Sequence, residues 1–402
     1  MKFIFLLILI FSLSLNLKLS ELNVNLSDES SLFCTTWSTS NFKTLKKNLP
    51  PITLSNNSIR QIVRVSIGGT QIRIKFSNIV GTSILKIQKA IISDVKSQGS
   101  SEINIDTTKT ITFSGKEKIN INAGQEIYSD TLEYTLKALS EVAISIYFGV
   151  VPNELAGHGN SMQNSYIMEE NKINDVVFSS DNKIPHWYFI ESIEIVSTQQ
   201  KKAIVCFGDS ITEGVGSTID MHRKWPDKLT EKLQNNKIYS NIAVVNAGIG
   251  GNRLCDQGLE RFEHDVLNIK GVKYIIVLYG INDMIHLNTT ATEIIEAYKH
   301  IIEIAHKNNL YIFAGTILPV GKWFTWIEER EKDRLEVNEW IRNTKKEDGG
   351  FDYYFDFDKN LRDNNNQTNL ADEYDSGDGL HPSDKGHEAI ADTIENLELF
   401  IK

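Results

Sequence analysis

The stretch Ala203-Ile204-Val205-Cys206-Phe207-Gly208-Asp209-Ser210-Ile211 decides how this chain is read. A short unbroken apolar run, too short for a helix, passes straight into a glycine and two small polar residues. A strand of a parallel sheet looks like this when helices cover both its faces and a sharp turn follows its carboxyl end. The pattern recurs downstream: Ala243 to Asn246, Tyr274 to Tyr279, Tyr311 to Thr316 and Tyr353 to Phe357 are further candidate strands. Helical stretches at Trp225 to Gln234, Ala291 to Lys307, Glu328 to Asn343 and about Ser383 to Leu397 alternate with them. This alternation from Lys201 onward predicts a three-layer α/β domain over 201–402, with ligands bound beyond the carboxyl ends of its strands.

Upstream the period is different. Ile59 to Ser66 alternates apolar and polar residues, Gly68-Gly69 interrupts, and Gln71 to Phe76 alternates again, which predicts a β-hairpin. Ile84 to Ile92, Thr108 to Phe113, Lys118 to Ile121 and Ala143 to Phe148 continue in the same way, and no helix of ten residues stands out. Many short strands with one apolar face must bury it against a second sheet, so 33–196 is expected to be an all-β sandwich of the jelly-roll kind.

Composition sets the outer limits. The chain has 402 residues, 41 % of them apolar, and a net charge of −10, so it is globular and long enough for two or three domains. No run of Lys/Arg exceeds three, which argues against nucleic acid and anionic lipid as partners. Met1-Lys2 followed by an apolar stretch from Phe3 to about Leu17 reads as an export signal, too short for a bilayer span. A cut near Ser20, giving 1–20 as signal peptide, would take the charge to −12 by removing Lys2 and Lys18. No later segment is apolar enough to span a membrane. Sequons start at Asn25, Asn56, Asn288 and Asn366, in keeping with a secreted glycoprotein. Three cysteines cannot frame a fold; Cys206 reads as core, while Cys34 and Cys255 are the two that could pair.

The loops after the strands carry the chemistry. Gly208-Asp209-Ser210 follows the first, Gly248-Ile249-Gly250-Gly251-Asn252 the second, and Gly280-Ile281-Asn282-Asp283 the third. A last loop, Asp378-Gly379-Leu380-His381-Pro382, precedes the terminal helix. Ser210 needs a base, and of nine histidines only His381 lies in a comparable loop with a carboxylate, Asp378, close enough in sequence to orient it. Pro382 disfavours the α conformation at His381 and so presents it outward. Gly251 offers an unobstructed backbone N–H and Asn282 an uncharged side-chain N–H, which with the N–H of Ser210 makes three donors for an oxyanion hole. Nucleophile, base, orienter and oxyanion donors together point to acyl transfer.

Those four blocks, the first extended to Ile211 and the second taken from Asn246 to Asn252, in that order, resemble the SGNH (GDSL-type) hydrolases. The resemblance covers about Lys201 to Lys402 and implies a flavodoxin-like sheet. It also implies Ser210 as nucleophile, Gly251 and Asn282 in the oxyanion hole, and His381 with Asp378 completing a triad. Ile211 stands where the family's block has Leu. Leu54 to Gly69 and Trp187-Tyr188-Phe189 are similar to the β-sandwich that precedes this hydrolase in a secreted two-domain subgroup. The expected reaction is hydrolysis of carboxylic esters, acetyl or other short acyl groups on a small molecule or polysaccharide, with neither cofactor nor metal. A lipase or lysophospholipase is the alternative within the class; an inactive glycan-binding surface protein is the alternative outside it.

Rival readings fare worse. Taken alone, Gly208-Asp209-Ser210 is equally a strand-to-helix turn with a capping Asp or Ser, and His381 equally a surface residue. A dinucleotide site would need glycine at Arg253, and an α/β-hydrolase elbow would need it at Thr212. A two-metal phosphoesterase would need clustered histidines, whereas no His-x-His occurs and Gly157-His158-Gly159 lies in the β-rich half. Trp323, Phe324 and Trp326 follow the fourth strand as a sugar platform or a packed cluster, and Trp187 with Tyr188 is expected in the interface between the halves.

Overall fold

The computed structural model describes residues 32–197, 201–287 and 289–401. The export signal and the sequons at Asn25 and Asn288 lie outside the described residues.

Residues 33–196 form antiparallel sheets. One carries Phe33–Ser38, Ile190–Val196, Gly69–Ser77 and Glu126–Tyr128 in that spatial order, with Leu132–Leu136 also paired to Gly69–Ser77. The other carries Lys183–Ile184, Ser165–Glu169, Asn57–Arg64, Glu141–Phe148, Leu85–Asp94 and Lys109–Ile111, with Ile119–Ile121 also on Leu85–Asp94. Their inner faces share one core that includes Ile59, Val63, Ile72, Ile74, Phe76, Ile144 and Ile193. A small third sheet joins Phe42–Lys43, Ala156–Gly159 and His186–Tyr188.

The hairpin expected around Gly68-Gly69 is not formed. Asn57–Arg64 pairs with Glu141–Phe148 and Ser165–Glu169, whereas Gly69–Ser77 belongs to the facing sheet. The chain crosses between sheets at Val65 to Gly68, where Val65 N–H donates to Ser140 O and Ser66 N–H to Thr36 O. Both arms still turn their apolar faces inward, now toward each other across the core. Alternation alone does not tell a pair within one sheet from a pair across two.

A second feature hidden from the alternation is Arg60, which points to the outer face of its strand and is completely buried there. Its guanidinium donates to Ser145 Oγ and to the carbonyls of Ser101, Val176, Ile173 and Asp175, and stacks on Phe178. Those bonds tie two long loops over the sheet, so both faces of this strand are covered.

From Lys202 the sheet is parallel. Ile242–Gly248, Lys202–Gly208, Val272–Leu278, Tyr311–Gly315 and Tyr353–Phe355 lie side by side, so the strands run 2-1-3-4-5 in space. This is the flavodoxin-like order, with its switch point beside the first strand. Trp225–Gln234, Ala291–Lys307 and Glu328–Asn343 are helices; Thr290 caps the second through a reciprocal bond with Glu293. The final helix, Asp384–Thr393, is shorter than expected and is followed by a looser turn at Leu397–Ile401, while Phe357 opens a short helix rather than ending a strand. No helix among the described residues is long and apolar enough to cross a membrane.

The halves are packed together. Thr35 N–H donates to Lys270 O at 2.9 Å, and Ala203 and Ala243 of the parallel sheet belong to the sandwich core. Trp187 and Tyr188 are buried in that same core, with Trp187 also lining a cavity at the junction. All three cysteines are free. Cys34 is buried against Gly271, and Cys255 sits in a helical turn with its Sγ directed at Glu293 O, so the two do not pair. Cys206 is fully buried core.

Candidate active site

Ser210 opens a single helical turn, Ser210–Glu213, immediately after the first parallel strand. Asp209 caps it, its side chain accepting from Ile211 N–H at 3.0 Å, and Gly214 ends it at φ 112°. Gly248 has no room for a side chain: a Cβ there would lie 2.2 Å from the Glu213 nitrogen. The second strand thereby presses directly on the Ser210 turn. Asn246 ties the same two elements by donating to Thr212 O at 2.7 Å and accepting from Gly248 N–H at 2.8 Å.

The last loop comes back to meet this turn. His381 Nε2 lies 2.9 Å from Ser210 Oγ, and His381 Nδ1 lies 2.6 Å from Asp378 Oδ2. The other oxygen, Asp378 Oδ1, accepts the N–H groups of Leu380 and His381 at 2.9 and 2.8 Å. Partial burial works against this carboxylate, yet His381 and those two N–H groups hold it below its ordinary pKa. Asp378 is therefore a charged, doubly anchored acceptor that fixes both the place and the tautomer of the imidazole.

Gly251 and Asn282 line the same cleft as Ser210 and His381. Gly251 adopts φ 74°, where a side chain is strained, and a Cβ there would meet nothing within 4 Å. Asn282 is buried and donates from Nδ2 to Asn252 O at 3.1 Å, leaving its second amide hydrogen. Beside it Asp283 turns inward and accepts from Leu254 and Cys255 N–H at 2.9 and 2.8 Å, which locks the third loop to the second.

Several residues of this neighbourhood were not legible in advance. Arg261 binds the ends of three loops with one guanidinium, donating to Gly208 O at 2.8 Å, to Asn252 Oδ1 at 2.9 Å and to Tyr279 Oη. Asp265 and Ser40 accept its remaining hydrogens. The cleft, about 320 Å³, is also lined from the strand-rich half by Phe42, Leu45, Lys47, Asn48 and Asn160. Behind it Glu213 faces His158 across the junction, Oε1 to Nε2 at 3.3 Å. An acid closing the Ser210 turn and a histidine between two glycines are the only sequence signals for that pair. Of the three aromatics after the fourth strand, Trp323 lines the cleft 6.4 Å from the His381 ring and Phe324 packs on it. Trp326 packs on the core, as Trp323 also does, and donates to Glu331.

A hydroxyl, an imidazole and a carboxylate in line, beside two amide donors, can relay a proton and receive a developing oxyanion. A possible cation-binding group elsewhere, Glu126, Glu191 and His264, already encloses the Lys75 ammonium, 2.6 and 2.8 Å from the two carboxylates.

Residues 206–389 match the model of the GDSL-like Lipase/Acylhydrolase family. No curated protein matches the chain. Among solved structures, an acetyl xylan esterase, AlAXEase, is 26 % identical, with 48 % of this chain and 97 % of that one covered at a TM-score of 0.39. The lipase/acylhydrolase from Enterococcus faecalis is 24 % identical, with 48 % and 93 % covered at 0.39. A G-D-S-L family lipolytic protein from Veillonella parvula is 20 % identical, with 50 % and 99 % covered at 0.38. The match of residues 206–389 identifies a GDSL-like lipase/acylhydrolase domain in this chain, and that domain supports assigning the protein to the carboxylic ester hydrolases.

Proposed function

We propose that the protein hydrolyses short-chain carboxylic esters, acetyl groups above all, carried on carbohydrate, through an acyl-enzyme on Ser210. The observation that carries the reading is the line Ser210 Oγ, His381 Nε2, His381 Nδ1, Asp378 Oδ2, with contacts of 2.9 and 2.6 Å, at the edge of a cleft that also contains Gly251 and Asn282. His381 takes the Ser210 proton as Oγ attacks the ester carbonyl, then gives it to the departing alcohol. Water repeats the two steps and releases the acid. The oxyanion is held by the N–H groups of Ser210 and Gly251 and the Asn282 amide.

The cleft, about 320 Å³ and open to solvent, has room for a short acyl group together with part of its alcohol. Trp323 at its lip, with the exposed Phe324 tilted 54° against it, offers an aromatic ring for contact with a sugar. In this reading 33–196 is a β-sandwich domain, 201–402 the hydrolase domain, and the enzyme is exported and glycosylated at the exposed Asn56 and Asn366. A lipase is the second reading, favoured by the exposure of Phe324 (82 %) and Leu45 (52 %) near the mouth.

The deciding measurement is a series of p-nitrophenyl esters from acetyl to palmitoyl, run beside acetate release from acetylated xylan. Highest kcat/KM on acetyl or butyryl is expected, and Ser210→Ala should lose turnover by about a thousandfold or more. A maximum at lauroyl or beyond moves the assignment to lipase; full activity in Ser210→Ala ends it.

A further inference from the structure

Ester hydrolysis by Ser210 leaves one buried acid without a task. Glu213 ends the turn that Ser210 begins, is 3 % exposed, and is surrounded by groups from both halves of the molecule. Its Oε1 lies 3.3 Å from His158 Nε2, and its Oε2 lies 3.4 Å from Asn160 Nδ2, both on or beside the strand Ala156–Gly159. On its other side the carboxyl packs against the Gly250 backbone, where a Cβ would stand 2.7 Å from Oε2. Gly250 precedes Gly251, which has open space around it and no side chain of its own to hold it. Arg261 and Asn282 hold the far end of this loop at Asn252, and Ile249 N–H bonds Gly208 O at its near end; at Gly250 itself the Glu213 carboxyl is the side chain packed behind the backbone.

The proton count of the contact follows from its far end. His158 Nδ1 lies 2.8 Å from the Ser40 carbonyl oxygen, which only accepts, so Nδ1 carries a hydrogen. One proton is then left between Nε2 and Oε1. With none, a lone pair faces a buried carboxylate; with two, an imidazolium N–H faces an acid O–H; each leaves a buried polar atom opposed rather than bonded. Burial pushes the Glu213 carboxyl up to about 8 and the His158 imidazole down to about 4, against the opposing pull of their hydrogen bonds, so the proton rests on Glu213. On this count the acid Oε1–H faces His158 Nε2 at 3.3 Å, while Oε2 accepts from Asn160 and lies against the Gly250 backbone. Trp187 stacks on the imidazole and Phe42 meets it edge-on, fixing its plane. Gly157 and Gly159 flank it because a Cβ at either would run into Trp187 O or Asn48 Nδ2, at 2.6 and 2.4 Å.

We infer that Glu213 and His158 are a positioning pair, sharing one proton across the junction of the two halves, which holds the Gly250-Gly251 loop in its oxyanion-binding conformation. This rests on the role proposed above for Gly251. The strand-rich half is then needed for turnover and not only for the shape of the cleft.

The test measures kcat and KM on an acetyl ester in the full chain, with every rate divided by the amount of Ser210 that a fluorophosphonate labels, so that misfolded protein drops out. Glu213→Ala should lower kcat about 10- to 100-fold with KM within about twofold, because a displaced donor weakens the transition state more than the ground state. Glu213→Gln should recover most of that loss, its amide N–H replacing the acid O–H and its carbonyl replacing Oε2. His158→Phe should match Glu213→Ala, and the double variant should be no slower than either single one. An unchanged kcat in Glu213→Ala overturns the inference, as does Glu213→Gln as slow as Glu213→Ala, or a double variant whose loss is the product of the single losses. If the unsubstituted protein is not labelled at Ser210, the reading of Ser210 itself fails and takes this inference with it.

Discussion

Two carboxyl–imidazole pairs sit on either side of the Ser210 turn, built from the same side-chain chemistry and held to opposite electrostatic rules. Asp378 and His381 stand at the cleft edge, their side chains 42 % and 13 % exposed, with a 2.6 Å contact and a carboxylate kept charged by three hydrogen bonds. Glu213 and His158 lie inside, 1 % and 5 % exposed, 3.3 Å apart, with burial driving both toward their neutral forms. The outer pair is arranged to stabilise an imidazolium when one forms. The inner pair is arranged so that no charge forms. On the proposed roles, water access rather than residue type separates the pair that moves a proton from the one that keeps it.

Exchanging acid for amide at both places breaks the comparison most sharply. Asp378→Asn should cost about a thousandfold or more in kcat, since the amide favours the wrong tautomer of His381 and cannot balance its charge, whereas Glu213→Gln retains most of its turnover. Equal effects in steady-state kinetics would mean that the two pairs do not differ in kind. Next in size is Asn282→Ala, which removes one oxyanion donor without touching either pair. A loss of about 100-fold in kcat with KM little changed is expected, and an unchanged rate would remove Asn282 from the site. The smallest effect is on stability. The pKa of Glu213 is raised on folding from 4.5 to about 8, so the folded state keeps a proton that the unfolded chain releases above 4.5. Wild-type stability therefore falls as pH rises through that window and levels off above it. Gln carries no such proton, so the Tm of Glu213→Gln should gain on the wild type between pH 5 and 8, by about 2–4 °C for each kcal/mol. Calorimetry at the two pH values reads the gap; a constant gap would mean that Glu213 is ionised throughout.

The sequence made the outer pair legible and hid the inner one for the same reason. His381 and Asp378 are three residues apart in one loop, so their contact is local, and Pro382 marks the conformation. His158 and Glu213 meet only because the sandwich packs on the parallel sheet, and no spacing announces that. Arg261 is similar: its partners Gly208, Asn252 and Tyr279 come from the carboxyl ends of three different strands. The parallel strands and long helices were readable because each buries its faces by its own period. The arms around Gly68-Gly69 have the sequence of a hairpin without forming one, because a strand's alternation records that it has an inside, not which strand lies beside it. Arg60 escaped notice because an arginine on the polar phase of a strand looks like a solvent-facing one until loops close over it.

The pairing of Phe33–Ser38 with Ile190–Val196 has a consequence for how the chain is made. The first strand of the sandwich has its sheet neighbour at the very end of the strand-rich segment. On a ribosome adding about 5–20 residues each second, the early strand waits roughly 8–30 s for that neighbour to emerge. Its edge, with Cys34 and Trp37 still uncovered, is a free template throughout that time. The α/β half then emerges onto a sandwich that has only just closed, and Thr35 on that late-completed strand is one of the residues it docks against, through Lys270. Vectorial synthesis thus makes the strands of the strand-rich half available first, the junction next and the cleft last.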